Sequence, residues 1–507
     1  MHTNVSSTPK RPATTRPHAI VFRFVRMRRT LALLAGLGAL SSSLSTDAAA
    51  QVEPREGDLV VLGGRLWDGT SDAARPNPGI LIRNGTIMRV GEVDPMGTGA
   101  EALLLDASHF VMPGLFDLHA HYAVDLFGEG RVDEYTVNPV LFLANGVTST
   151  FPAGEVDPAE ARRGRERIAS GEIPGPRIHA SGPYWGTARP GWDHAAMTPD
   201  SIRREATYWA LRGARGFKAK GIRPEQLRAV IEVAHEHGIT VTGHLDSGFR
   251  DSVNPRDAIL MGIDRIEHFL GGDALPASRS AYASLEALDL GDPVTAGRIR
   301  AQARLFVEQG AYFDATLTAY GYFADREPAV FNDWANEMDF LTAYARDVVE
   351  ARLPRTPNDQ FERIYYVKRR TVKAFLDAGG ANHLTLGTDH PSWGEFWSGF
   401  GAHRELHAMV LAGIPNAAAL RAGTANAARA LGVDARLGTI APGKYADLLI
   451  VRGDPLTTIT DTRNGHLVIR SGTVYRPDEL FRSVRGKMGP VSEAEAEWWM
   501  GNARLGR

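Results

Sequence analysis

Between residues 114 and 432 the chain repeats one pattern eight times, a short apolar run followed by a longer stretch with helical spacing. The runs fall at 115–119, 147–150, 177–181, 216–218, 240–244, 265–268, 312–316 and 384–389. Between them lie segments such as 224–237, where Leu227, Val230, Ile231 and Ala234 share one helical face. Strands that alternate with helices form parallel sheets, and eight such units in roughly 250 residues or more describe a (β/α)8 TIM barrel. A doubly wound sheet would need a glycine-rich phosphate fingerprint after its first strand. None stands there, so the expected class is α/β with a barrel at its centre.

Both flanks of this region have a different texture. Leu59-Val60-Val61-Leu62, Ile80-Leu81-Ile82 and Ile87-Met88-Arg89-Val90 are short strands, and Asn84-Gly85 between the last two is a hairpin signal. The texture returns at Asp447-Leu448-Leu449-Ile450-Val451 and His466-Leu467-Val468-Ile469-Arg470. The expected organisation is a β-sandwich domain built from 51–113 and 433–480, the barrel over 114–432, and a tail over 481–507. Residues 1–50 stand apart. Arg26, Arg28 and Arg29 precede an apolar run over 31–40, and Ala48-Ala49-Ala50 closes a serine-rich stretch. That is the pattern of a secretory signal peptide, so an exported, periplasmic or secreted protein whose mature chain begins near Gln51 is expected, with Met27 an alternative to Met1 as the start codon. The apolar run is too short to span a bilayer.

Composition narrows the chemistry. Lys and Arg number 57 against 59 Asp and Glu, a formal net charge of -2, so nothing global points to nucleic acid or an anionic membrane. Cysteine is absent, which excludes disulfides, thiolate nucleophiles and thiolate metal sites. Any metal must be held by nitrogen and oxygen.

Barrel enzymes keep their chemistry at the C-terminal ends of the strands. Those ends carry His119 and His121, Lys218, His244, His268 and Asp389. Residues two apart in a strand point to one side, so His119 and His121 can grip one cation while Ala120 faces away. Three or four nitrogen and oxygen ligands with an open position describe a catalytic zinc site. Lys218, buried beside cations, should lose its proton readily. A neutral amine there can add carbon dioxide, and the resulting carbamate offers two oxygens to two metals.

With these residues in view, the chain resembles the amidohydrolase superfamily, and within it the prolidase and imidazolonepropionase-like branch. The resemblance rests on Met112-Pro113-Gly114-Leu115-Phe116-Asp117-Leu118-His119-Ala120-His121, Gly216-Phe217-Lys218, Thr242-Gly243-His244, Ile266-Glu267-His268, Gly387-Thr388-Asp389 and the stretch from Gly438 to Leu448. It implies two divalent ions, usually zinc. His119, His121 and Asp389 would hold the first, His244 and His268 the second, and carboxylated Lys218 would bridge them. A bridging hydroxide would then attack an amide carbonyl, with Asp389 carrying its proton to the departing nitrogen. The implied activity is hydrolysis of carbon–nitrogen bonds in small amides, dipeptides foremost. A cyclic-amide or lactone hydrolase is the alternative, and a non-catalytic exported binding protein is the alternative of another class. The implied partner is a small-molecule substrate. Oligomeric state is open, a homo-oligomer included.

Tyr122 beside the histidine pair, Trp185 and His194 after strand three, Tyr320 after strand seven and Trp393 after strand eight are candidate substrate contacts, because those loops open on the active-site face. Core packing is the competing explanation for each. His403-Arg404-Glu405-Leu406-His407 imitates a zincin helix, but its glutamate is displaced by one position and leaves the catalytic face, so a structural helix is expected.

Overall fold

The computed structural model describes residues 52–128, 130–322, 327–331, 334–351, 357–391 and 398–505. The segment expected to direct export, and Trp393 and Trp397, lie outside them. Eight parallel strands occupy the middle of the chain: Leu115–Ala120, Val147–Pro152, Arg177–Ile178, Gly216–Lys220, Thr240–His244, Arg265–Glu267, Tyr312–Asp314 and Leu384–Thr385. All eight fall on the apolar runs of the sequence. The first three pair in one sheet, and the last five in another that also takes in the short strand Tyr184–Trp185. Backbone hydrogen bonds cross both junctions: Arg215 N donates to Ala180 O at 2.8 Å, and Leu118 N to Leu386 O at 2.9 Å. The result is a TIM-barrel-like α/β arrangement.

Leu115–Ala120 is buried along its whole length. A strand covered on both faces has no polar side to alternate with, which is why it reads as an apolar run broken only by Asp117 and His119. Helix Pro224–Glu236 begins on proline, whose missing N–H costs nothing in a first turn, and buries Leu227, Val230, Ile231 and Ala234 against the strands. Gly238 follows it at φ +66°, a left-handed conformation that ends the helix without a Cβ penalty.

The two flanks meet in one sheet. Its hydrogen-bonded order is Thr473–Tyr475, Gly465–Arg470, Leu448–Arg452, Glu101–Pro113, Leu59–Leu66, Ile80–Arg83 and Thr86–Val90, with Arg75–Pro76 paired to Leu59–Leu66. Where a sandwich was expected, the described strands form this single hydrogen-bonded sheet, because the long strand Glu101–Pro113 pairs with both flanks. One of its edges runs parallel to Leu59–Leu66, and the other edge of its second half antiparallel to Leu448–Arg452. Asn84 and Gly85 both take positive φ in the hairpin turn, as that sequence favours. Ile80, Ile82, Ile87, Val111, Leu448, Ile450, Leu467 and Ile469 form the sheet's own apolar core.

The segment expected as a tail carries the end of helix Pro477–Val484 and the helix Glu493–Leu505. Between them Met488 N donates to Phe340 O at 2.8 Å and Met488 O accepts from Thr342 N at 2.9 Å, fixing this stretch to the body. No helix among the described residues is long and apolar enough to cross a membrane.

Candidate metal centre

Strands one and eight bring the first three candidate ligands together. Asp389 Oδ1 lies 2.8 Å from His121 Nε2 and 3.4 Å from His119 Nε2. Asp117, one pleat before His119, holds this geometry. Its carboxylate accepts from His119 N at 3.0 Å, from Thr388 N at 3.1 Å and from Thr388 Oγ1 at 2.6 Å. It ties the two strand ends by the residues next to the ligands. Burial works to raise Asp389, yet His119 and His121 beside it hold its carboxyl well below the ordinary range. Burial, opposed by Asp389 and helped by the Arg131 and Lys218 charges, pushes His121 down to about 4, so the imidazole is neutral.

The second group gathers on strands four to six. Lys218 Nζ forms a fully buried ion pair with Glu267 and lies 3.5 Å from His119 Nε2. Burial, with Lys220 nearby, drives the Lys218 amine well below the ordinary lysine value. Thr242 Oγ1 donates to Glu267 Oε1 at 2.8 Å, which fixes that carboxylate between strands four, five and six. His268 stacks edge-on with His244 at a ring separation of 4.2 Å and lies 4.8 Å from His119. Its Nδ1 is 2.5 Å from Thr316 Oγ1, which leaves Nε2 facing inward. His268, Thr316 and Asp389, at the ends of three successive strands, all take positive φ (66°, 46° and 62°). Non-glycine residues held there cost roughly 1–3 kcal/mol each and cluster where function demands an orientation.

The ligand atoms of His119, His121 and Asp389 lie within 4.8 Å of one another, and so do those of His119, Glu267 and His268. His244 joins only through its ring contact with His268, and Lys218 only through Glu267 and His119. Inside these groups His119 Nδ1 and His268 Nε2 are buried without a hydrogen-bond partner. Two imidazole nitrogens without a hydrogen-bond partner, beside the buried carboxylate of Glu267 and the part-buried one of Asp389, have the chemistry of a cation site, so the residues fit divalent ions.

The expected substrate contacts divide. Tyr122 is buried, its hydroxyl lies 2.9 Å from Thr150 Oγ1, and its ring stacks on Tyr135. Trp185 is fully buried edge-on against Phe217, because Tyr184–Trp185 becomes a strand paired with Gly216–Lys220 rather than an open loop. Trp185→Ala should therefore cost about 3–5 kcal/mol of stability in denaturant unfolding, the usual price of emptying such a site. His194 is drawn to Gln226 Oε1 at 2.9 Å, at the start of a neighbouring helix, and accepts from Trp192 Nε1 at 3.2 Å. Tyr320 does reach the centre, with its ring 5.9 Å from His268 and Lys368 Nζ 3.8 Å above it.

Sequence reasoning passed over Asp117, Glu267, Thr316 and Lys368. The first two stand inside the quoted strings, where a carboxylate in a wholly buried strand was itself a signal. Glu405 proves structural, as its helix suggested. Its carboxylate accepts from Leu317 N and Thr318 N at 2.8 Å each, clamping the segment that carries Tyr320.

The sequence model of the amidohydrolase family matches residues 110–474. No curated protein matches the chain in sequence. Among solved structures, a Xaa-Pro dipeptidase with bound methionine in the active site is 21% identical, with a TM-score of 0.58 over 83% of this chain and 100% of that one. Molinate hydrolase is 20% identical, with a TM-score of 0.60 over 87% and 99%. Phenylurea hydrolase B is 16% identical, with a TM-score of 0.61 over 86% and 100%. At such identities the likeness is one of fold.

Proposed function

The chain belongs to the amidohydrolase family and is a hydrolase, and we propose that it cleaves the carbon–nitrogen bond of small amides, dipeptides foremost, at a centre of two divalent metal ions, zinc the first choice. The eight strands are read as a closed barrel whose C-terminal ends form that centre. His119, His121 and Asp389 would hold one ion, and His244 and His268 the other. Lys218 would lie between them as a carbamate, formed when its neutral amine adds carbon dioxide and releases a proton. The observation that carries the reading is the pair of nitrogens without hydrogen-bond partners, His119 Nδ1 and His268 Nε2, beside the carboxylates of Glu267 and Asp389. Relatives of this fold include a Xaa-Pro dipeptidase, molinate hydrolase and phenylurea hydrolase B, which supports a carbon–nitrogen or similar acyl bond as the target.

Bound divalent ions supply a Lewis acid for the substrate carbonyl and lower the pKa of the attacking water. The protein's own residues do the rest. Asp389 Oδ1, ionised and turned inward by its positive φ, accepts the proton of the attacking water and returns it to the departing nitrogen. His121 and His119 keep that oxygen in place. Thr316 fixes the tautomer of His268 through Nδ1, so that Nε2 is the ligating atom. Tyr320, with Lys368 over its ring, packs beside His268.

Elemental analysis of the purified protein should find about two transition-metal ions per chain. Prolonged chelation should abolish release of amine from a dipeptide and N-acyl amino acid panel, and zinc should restore it. Full activity with the metal removed would sink the proposal.

A further inference from the structure

Strand four ends in two lysines, and only the first is used by the centre. Lys220 follows Lys218 by two residues, so both side chains leave the strand on the same face. The register of strands four and five sets Lys220 directly beside His244. Lys220 is half-buried, and its side-chain Nζ has no hydrogen-bonding or ionic partner among the described residues. It lines a cavity of about 320 Å³ with His244, Phe269, Tyr282, Thr187 and Asp246. That volume is at the lower end of small-ligand pockets, enough for the acid half of a dipeptide.

The cavity is built rather than incidental. Thr187 N donates to Gly221 O at 3.1 Å, pressing the loop after strand three over the end of strand four. A Cβ on Gly186 would meet Lys220 O at 2.1 Å, so the loop sits that close only because Gly186 has none. Asp246 is the acidic group in the wall, and its Oδ1 is taken by the amides of Ser247 at 2.8 Å and Ala281 at 2.5 Å. Asp389 is within electrostatic reach of Lys220 but is already engaged by the two histidines. Arg131, bonded to the Tyr184 hydroxyl, adds a second positive charge on the same side. A cation next to a metal-ligand histidine, walled by aromatic rings and without an anion of its own, is complementary to a ligand carboxylate.

We infer that Lys220 binds a free carboxylate of the substrate, which makes the substrate class peptides and N-acyl amino acids with an unblocked acid rather than neutral amides. The inference rests on the hydrolase reading for where the scissile carbonyl lies, beside His244 and His268. A carboxylate placed on Lys220 then belongs to the residue on the leaving-nitrogen side.

The test compares Ala-Leu, Ala-Phe and Ala-Pro, each as free acid and as C-terminal carboxamide, on zinc-loaded wild type, Lys220→Met and Lys220→Arg, with metal content measured for all three. The readout is kcat/KM where a probe is cleaved and calorimetric affinity where it is not. Wild type should prefer the acid by about 10–100-fold, the value of one charge-assisted contact. Lys220→Met should bring the ratio to within about twofold of one at unchanged metal content, and Lys220→Arg should keep most of the preference. Should Lys220→Met not accumulate as folded protein, Lys220→Gln takes its place. Acid preference lost in Lys220→Met but without cleavage upholds the carboxylate site and removes the hydrolase reading. Cleavage with no acid preference in wild type, no binding of any acid, or a preference that survives in Lys220→Met, overturns the carboxylate site.

Discussion

Lys218→Ala is expected to lose both metal ions and with them all measurable turnover. The side chain is buried at the meeting point of Glu267 and His119. As a carbamate it would provide two ligand oxygens, so its removal should weaken metal binding by more than the roughly 10–100-fold that follows loss of an outer-shell partner. Lys218→Arg should be as damaging, since a guanidinium keeps the charge but cannot ligate. A short carboxylic acid added to Lys218→Ala should restore part of the metal content and rate by filling the vacated space. Elemental analysis and amine release read both effects. Wild-type metal content and rate in Lys218→Arg would show the lysine to be only a buried cation paired with Glu267.

Asp389→Asn should separate metal binding from proton transfer. The amide oxygen keeps the size of the group and can still face His121, but an amide cannot take a proton at this site. Metal content should largely survive, while kcat falls by about two to four orders of magnitude, the usual range for general acid–base catalysis. An Asp389→Asn enzyme that turns over within tenfold of wild type would assign the proton to another group.

The strands, and the gathering of His119, His121 and Asp389, were legible because both depend on local pattern. Parallel strands buried on both faces appear as unbroken apolar runs, and strand-end residues two apart, such as His119 and His121, must share a side. What failed was what depends on register between strands. Glu267 matters because its side chain reaches Thr242 and Lys218 on the neighbouring strands, and nothing within Ile266-Glu267-His268 announces those partners. Trp185 looked like a loop aromatic until Tyr184–Trp185 paired with Gly216–Lys220 and sealed it in the core. His194 contacts Gln226 in the first turn of the helix after strand four, a partner that no local pattern announces. Tyr122 was judged by its neighbour His121, though the pleat turns it the opposite way, towards Tyr135.

The sheet that joins the two ends of the chain sets an order on its synthesis. Strand Glu101–Pro113 leaves the ribosome early, but its partner Leu448–Arg452 follows only after every parallel strand has been made. Until then an edge containing Phe110, Val111 and Met112 stands unpaired, the kind of edge that recruits foreign strands. The nascent chain thus holds an adhesive edge for most of its elongation, and contacts this distant in sequence also close slowly. Chains truncated before residue 448 should accumulate as aggregates or be captured by chaperones, even with all candidate metal ligands already present.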